Sequence, residues 1–206
     1  MNPRWSLDAR VLAAPRHAFL AAAERAPHAS RWTATRRPLF VALVLGCVMS
    51  LLAASVVTAR LAFPTALYWA FVPLVEALAF IPLAHRWRAR VPTSLLVDTF
   101  FAGHAPWTLF LIVMALATSM LGPSQWWFFI TRVWLYAAGV VIAWSAYIDY
   151  CFWRQYLGAT RGQAIRRLVI HRAIVWFVIF WIFAVPARTP RDFAAEVAEA
   201  IQDVAR

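Results

Sequence analysis

Glu76 is the residue whose type and position point most directly to chemistry, because it is an acid inside a long apolar stretch, residues 64–84. A charged carboxylate within a bilayer costs about 3 kcal/mol or more unless it is paired, hydrated or protonated. Glu76 is therefore either a proton or ion relay, a contact to a polar solute, or a protonated acid bonded to Ser50, Ser55 or Thr118 on a neighbouring helix. The sequence indicates no second ionisable group at this depth, which favours the structural role.

A second group of polar residues falls at the predicted ends of the apolar stretches, on one side of the membrane. His, Asp and Cys are common Zn or Fe ligands, and His with a carboxylate is a common proton-transfer pair. The spacing matches no His-Glu-x-x-His or Cys-x-x-Cys motif, so helix capping and interfacial anchoring remain alternatives to a shared site. The members of this polar group are His85, Asp98, His104, Asp149, Cys151 and His171.

One local string within the polar group predicts a turn. Gly103 is suited to ending a short helix, and Pro106 to opening the next one. Asp98 and His104 would then form a hydrogen bond across the turn. His104 and His171 are the pair that a haem would require, but the pattern favours no bound metal and no cofactor.

The elements that must position these residues are five apolar stretches, each near the roughly 20 residues that a membrane-spanning helix needs. With 63% hydrophobic and 14% charged residues, the chain is too apolar for an ordinary soluble domain. We predict an all-α polytopic membrane protein with a five-helix domain at 39–187, between an N-terminal segment at 1–38 and a tail at 188–206. The stretches are 39–59, 64–84, 105–121, 133–148 and 168–187.

Proline and glycine positions predict local helix geometry within these stretches. Pro73 and Pro82 predict a kink in the second stretch, because proline removes a backbone donor. Gly46 and Gly139, each with other small residues nearby, predict close approach of neighbouring helices.

The distribution of Arg predicts the orientation of the chain. Assigning the N-terminus and alternate connections to the cytoplasm places fifteen of the twenty Arg inside. The N-terminus would thus be cytoplasmic and the C-terminus external, in a bacterial inner membrane. Although the formal charge is +11, it is spread over the connections, so we expect no nucleic-acid binding.

Both terminal segments contain helix signals. Pro15 separates two predicted short helices, residues 6–14 and 15–25, which either lie on an anionic membrane surface or pack on the bundle. In the tail, Thr189 and Pro190 predict the start of an amphipathic helix that lies over the bundle end or docks to a partner.

The chain resembles the Yip1 family of five-span membrane proteins. The local likeness is Leu12-Ala-Ala-Pro15-Arg-His-Ala-Phe19, which is similar to a Leu-x-x-Pro-x-x-x-Phe entry in bacterial members. The resemblance implies a cytoplasmic N-terminal segment, a short tail on the far side and no assigned role. The signatures of the eukaryotic members that act with small GTPases are absent, so that role does not carry over.

Two functions fit these features. The first is a non-enzymatic protein that organises the membrane, binding lipids and either another membrane protein or a second copy of itself. The second is a small ion- or proton-coupled transporter, or a membrane enzyme, that uses Glu76 or the polar group. Phosphate-binding glycine loops, nucleophile elbows and dinucleotide fingerprints are absent from the sequence.

Overall fold

A computed structural model describes residues 6–24, 31–54, 56–87, 91–121, 125 and 129–184. Within these ranges every regular element is helical. The α-helices are α1 (Leu7–Ala13), α2 (Pro15–Ala23), α3 (Arg36–Ala54), α4 (Ala59–Trp69), α5 (Phe71–Ala84), α6 (Thr93–Phe101), α7 (Ala105–Ser119), α8 (Leu135–Cys151) and α9 (Arg161–Ala184). Short 3-10 segments occupy Arg31–Ala34, His85–Trp87 and Ala102–His104, and π-helical turns occupy Phe129–Trp134 and Phe152–Tyr156.

Four helical stretches in the described residues are long and apolar enough to cross a membrane: Trp32–Leu52, Ala59–Ala84, Thr93–Ser119 and Arg132–Tyr156. The all-α prediction is confirmed for this part of the chain, and the four stretches are compatible with a membrane location. Helix α9 covers most of the fifth predicted stretch, and its role as a fifth span stays a prediction.

The third stretch begins twelve residues earlier than predicted, at Thr93 rather than 105. Helix α6, the 3-10 segment and α7 follow one another without a break, because Pro106 lies in the first turn of α7, where its missing N–H is not needed. His104 therefore lies about 15 Å along this stretch rather than at its entrance.

The second stretch is interrupted at Ala70, between α4 and α5. Pro73 has no N–H to donate to the carbonyl four residues earlier, which explains a break at this point. Helix α5 continues through Pro82 to Ala84. The predicted kink is thus present near the first of the two prolines.

The predicted short N-terminal helices are present and pack into the bundle. Ser6 caps α1 by accepting a hydrogen bond from the Ala9 N–H at 3.2 Å, and Pro15 opens α2. Val11 and Phe19 are fully buried, and the Phe19 ring meets that of Phe152 edge-on at 5.5 Å. Of the two alternatives for this segment, the structure supports packing on the bundle. The predicted tail helix lies outside the described residues.

The main hydrophobic core lies at one end of the bundle, where α5 and α8 end and α6 and α9 begin. Aromatic rings fill it: Phe80 and Phe100 stack at 4.4 Å, and Phe152 packs edge-on against both. This core borders two of the polar residues that the sequence singled out, His104 and His171, through the Phe100 ring.

Candidate functional site

Glu76 and His104 form a direct side-chain contact inside the bundle. The Oε2 atom of Glu76, on α5, meets the Nε2 atom of His104 at the junction of α6 and α7, and both side chains are mostly buried. The expectation that Glu76 has no ionisable neighbour is therefore wrong. Two predicted partners are engaged elsewhere, since Ser50 donates to the Val56 carbonyl at 3.0 Å and Thr118 to the Met114 carbonyl at 2.7 Å.

Aromatic rings hold the His104 imidazole in place. It stacks on Phe101 at 4.6 Å and meets the edge of Phe100 at 5.4 Å. Its Nδ1 atom is buried and has no hydrogen-bond partner among the described residues. The ring is thus fixed on Glu76 through one nitrogen, while the other nitrogen has no hydrogen-bond partner among the described residues.

His171 approaches Glu76 from α9. Its Nε2 donates to the backbone carbonyl oxygen of Glu76 at 3.3 Å, and its ring meets Phe100 at 5.1 Å. Because Glu76 occupies Nε2 of both His104 and His171, the two rings do not form the facing pair that a haem requires.

A buried ion pair lies beside these groups. Asp149 on α8 accepts from Arg172 on α9 at 2.9 Å (Nε) and 2.5 Å (Nη2). Arg172 also donates to Ser145 at 3.2 Å, and the Trp107 indole N–H donates to the same hydroxyl at 3.2 Å. Sequence reasoning missed the role of Arg172; the available signal was an Arg within an apolar helix, which needs an acid at its own depth.

The two sets of groups form one neighbourhood, which we call the acid–base cluster. Asp149 and Arg172 lie within electrostatic range of His104, and a Cβ on Gly103 would lie 3.6 Å from the Asp149 Oδ1 atom. Gly103 thus permits close approach of α8, beyond its predicted role at a helix end. The cluster consists of Glu76, His104, Asp149, His171 and Arg172.

Asp98 belongs to a separate network, so the predicted hydrogen bond between Asp98 and His104 is wrong. Arg36 binds the Asp98 carboxylate through two contacts of 2.7 Å. Arg37 contacts the same carboxylate and donates to the Asp98 carbonyl at 3.1 Å. Arg37 also binds Asp8 at 2.9 and 3.0 Å. This network ties α1, α3 and α6 together.

The remaining members of the polar group stay apart. His85 is exposed in the 3-10 segment after α5, and the buried Cys151 pairs with the Tyr147 hydroxyl one turn earlier on α8. In the described part of the chain, no three His, Cys, Asp or Glu side chains group as metal ligands. The polar group is thus not one site: only His104, Asp149 and His171 come together, and they do so around Glu76.

Comparison of the chain with protein-family models, curated proteins and solved structures finds no match. The chemistry of the acid–base cluster is therefore the observation from which a function can be inferred.

Proposed function

We propose that this chain is an integral membrane protein in which Glu76 and His104 exchange a proton, and that this exchange is coupled to transport of a small solute or ion. The observation that carries the proposal is the partner of the buried acid. An Arg partner stays charged, whereas a His can release its proton near neutral pH. The Glu76–His104 pair can thus change between an ionic and a neutral state within an apolar surrounding.

The proton step uses only groups of this chain. In the ionic state His104 carries protons on both ring nitrogens; it gives the Nε2 proton to the Glu76 carboxylate, so the imidazole becomes neutral with its proton on Nδ1 and the carboxylate becomes a carboxylic acid. The pairing of His104 Nε2 with Glu76 and the unpartnered Nδ1 support this direction of transfer. The Asp149–Arg172 pair supplies fixed charges beside the ring.

The proposal includes five membrane spans, with α9 as the fifth. Helix α9 exposes a continuous aromatic surface along its second half, formed by Trp176, Phe177, Phe180 and Trp181. Such a surface suits contact with lipid, and Arg172 is neutralised by Asp149. The proposal also includes a bacterial inner membrane and a cytoplasmic N-terminus, an orientation that the Arg distribution supports. Because the proposed C-terminus is external, alkaline phosphatase fused to it should be active. A fluorescent protein fused to the same end should not fluoresce.

The test is proton flux into liposomes that contain the purified chain and a pH-sensitive dye, driven by a potassium diffusion potential. Glu76→Gln and His104→Gln should each slow the flux by at least about tenfold, because each removes one partner of the proton transfer. Thr65→Val is the matched control, since Thr65 lies in the same predicted span and, among the described residues, its hydroxyl donates to the Leu61 carbonyl at 2.6 Å. Its flux should stay within about twofold of wild type.

A second candidate is a Yip1-like membrane-organising protein that binds lipid or a partner protein without catalysis. The Asp8–Arg37–Asp98 network favours it, because this network serves to hold the N-terminal helices on the bundle. Wild-type flux equal to that of protein-free liposomes would contradict the proton-coupled proposal and leave this candidate.

A further inference from the structure

Three Arg residues lie near the end of the bundle where α5 ends and α9 begins. Arg86 lies in the 3-10 segment that follows α5, and Arg166 and Arg167 lie in the second turn of α9. Helices α5 and α9 pack on each other, and Arg167 lies within electrostatic range of Arg86 and Arg166. Arg86 and Arg166 are exposed, while the Arg167 guanidinium lies 5.6 Å from the ring centre of the buried Trp153.

Carboxylates of the described residues are largely committed to other cations. Asp8 and Asp98 bind Arg37, Glu76 binds His104, and Asp149 binds Arg172. Helix α9 also leads the chain about 27 Å away from Arg166 before it ends. The clustered positive charge at this end therefore favours an anion that does not come from the described chain.

The surface next to these Arg residues is apolar. On α5, Leu78 and Pro82 are four residues apart and exposed, so they lie on one face of the helix that leads to Arg86. On α9, Ile170 follows Arg166 at the same spacing and is 38% exposed. Positively charged side chains beside exposed aliphatic side chains match the headgroup and acyl chains of a phospholipid. A free phosphate would contact the charged side chains only.

We propose that Arg86 and Arg166 bind the headgroup of an anionic phospholipid between α5 and α9, with its acyl chains along Leu78 and Ile170. Guanidinium groups form paired hydrogen bonds with phosphate oxygens, and basic groups between membrane helices bind anionic headgroups. This site is independent of the proton transfer proposed for Glu76.

The test is native mass spectrometry of the detergent-purified full chain with equal amounts of phosphatidylglycerol and phosphatidylcholine that carry the same acyl chains. Wild type should retain phosphatidylglycerol over phosphatidylcholine by about tenfold or more. Arg86→Gln combined with Arg166→Gln should lower phosphatidylglycerol affinity roughly 25-fold, because each basic side chain contributes about a fivefold factor. Arg167 is left intact because it packs on Trp153.

The control is Arg60→Gln combined with Arg132→Gln, which removes the same charge from two exposed residues. These residues lie at the starts of the stretches Ala59–Ala84 and Arg132–Tyr156, away from the end of the bundle that carries the proposed site. This control should keep the wild-type preference. The same loss in both double variants would show an effect of net charge and overturn the site. Absence of a preference in wild type would overturn it without any variant. Arg86→Lys with Arg166→Lys keeps the charge and should retain phosphatidylglycerol better than the Gln variant does; equal losses in the two would overturn the site.

Discussion

The two carboxylates of the acid–base cluster are neutralised in different ways. Asp149 binds Arg172, which keeps its charge at any physiological pH, so this pair is permanently ionic. Glu76 binds His104, whose charge depends on one proton. This difference is the reason that we propose a structural role for Asp149 and a proton-exchanging role for Glu76.

Asp149→Asn should lower the stability of the folded bundle by about 3 kcal/mol, because it leaves the Arg172 guanidinium mostly buried without its counter-charge. Thermal unfolding in detergent measures the loss. The double variant Asp149→Asn with Arg172→Gln should recover much of it, since no unpaired charge remains. A double variant as unstable as the single one would contradict the ion-pair account.

At the scale of elements, glycine decides how closely α3 and α4 approach. A Cβ on Gly46 would overlap the Ala62 carbonyl oxygen and the Ala66 backbone and side chain. A Cβ on Gly139 would have no described atom within 4 Å. The sequence predicted close packing at both positions; it is confirmed at Gly46, whereas no described residue approaches Gly139 closely.

Gly46→Ala should destabilise the protein by about 3 kcal/mol, since the added methyl group forces α3 and α4 apart. Gly139→Ala is the matched control: it is the same chemical change within a helix, and it should be neutral or stabilising by up to about 1 kcal/mol. Thermal unfolding of both variants in one detergent makes the comparison. Equal losses in the two variants would contradict the packing described for α3 and α4.

Apolar length predicts the helices well but predicts their ends poorly when ion pairs extend them. Arg36 and Arg37 lie within α3, and Asp98 lies within α6, because each charge is neutralised by the other helix. A sequence shows each charge singly and so places it outside the membrane. The same limit concealed the cluster: moving the start of the third stretch back to Thr93 brings His104 to the depth of Glu76.

At the scale of the whole molecule, the N-terminal helices are part of the bundle rather than an appendage. Phe19 is fully buried beside Phe152, and Arg37 joins Asp8 on α1 to Asp98 on α6. Helix α1 also packs against the 3-10 segment that carries His104. A movement of α1 would therefore displace the 3-10 segment and with it His104, a member of the acid–base cluster.

Phe19→Ala should cost about 3 to 4 kcal/mol and expose the N-terminal segment, because it empties a fully buried site. Its neighbour Leu20 is 39% exposed, so Leu20→Ala should cost under about 1 kcal/mol. Trypsin cleavage after Arg16, followed over time, distinguishes the two variants. Equal cleavage rates would show that α2 does not depend on the core for its position.

The most direct test of the central claim is whether Glu76 takes up a proton within the folded protein. Infrared difference spectra of the membrane-reconstituted chain, recorded between alkaline and acidic pH, detect the carboxylic-acid carbonyl band. We predict such a band in wild type and its absence in Glu76→Gln. His104→Gln should change the pH at which the band appears, and Thr65→Val should leave the band unchanged. If no band depends on Glu76 at any pH at which the chain stays folded, its carboxylate is a fixed partner of His104, and the proton-exchange account is contradicted.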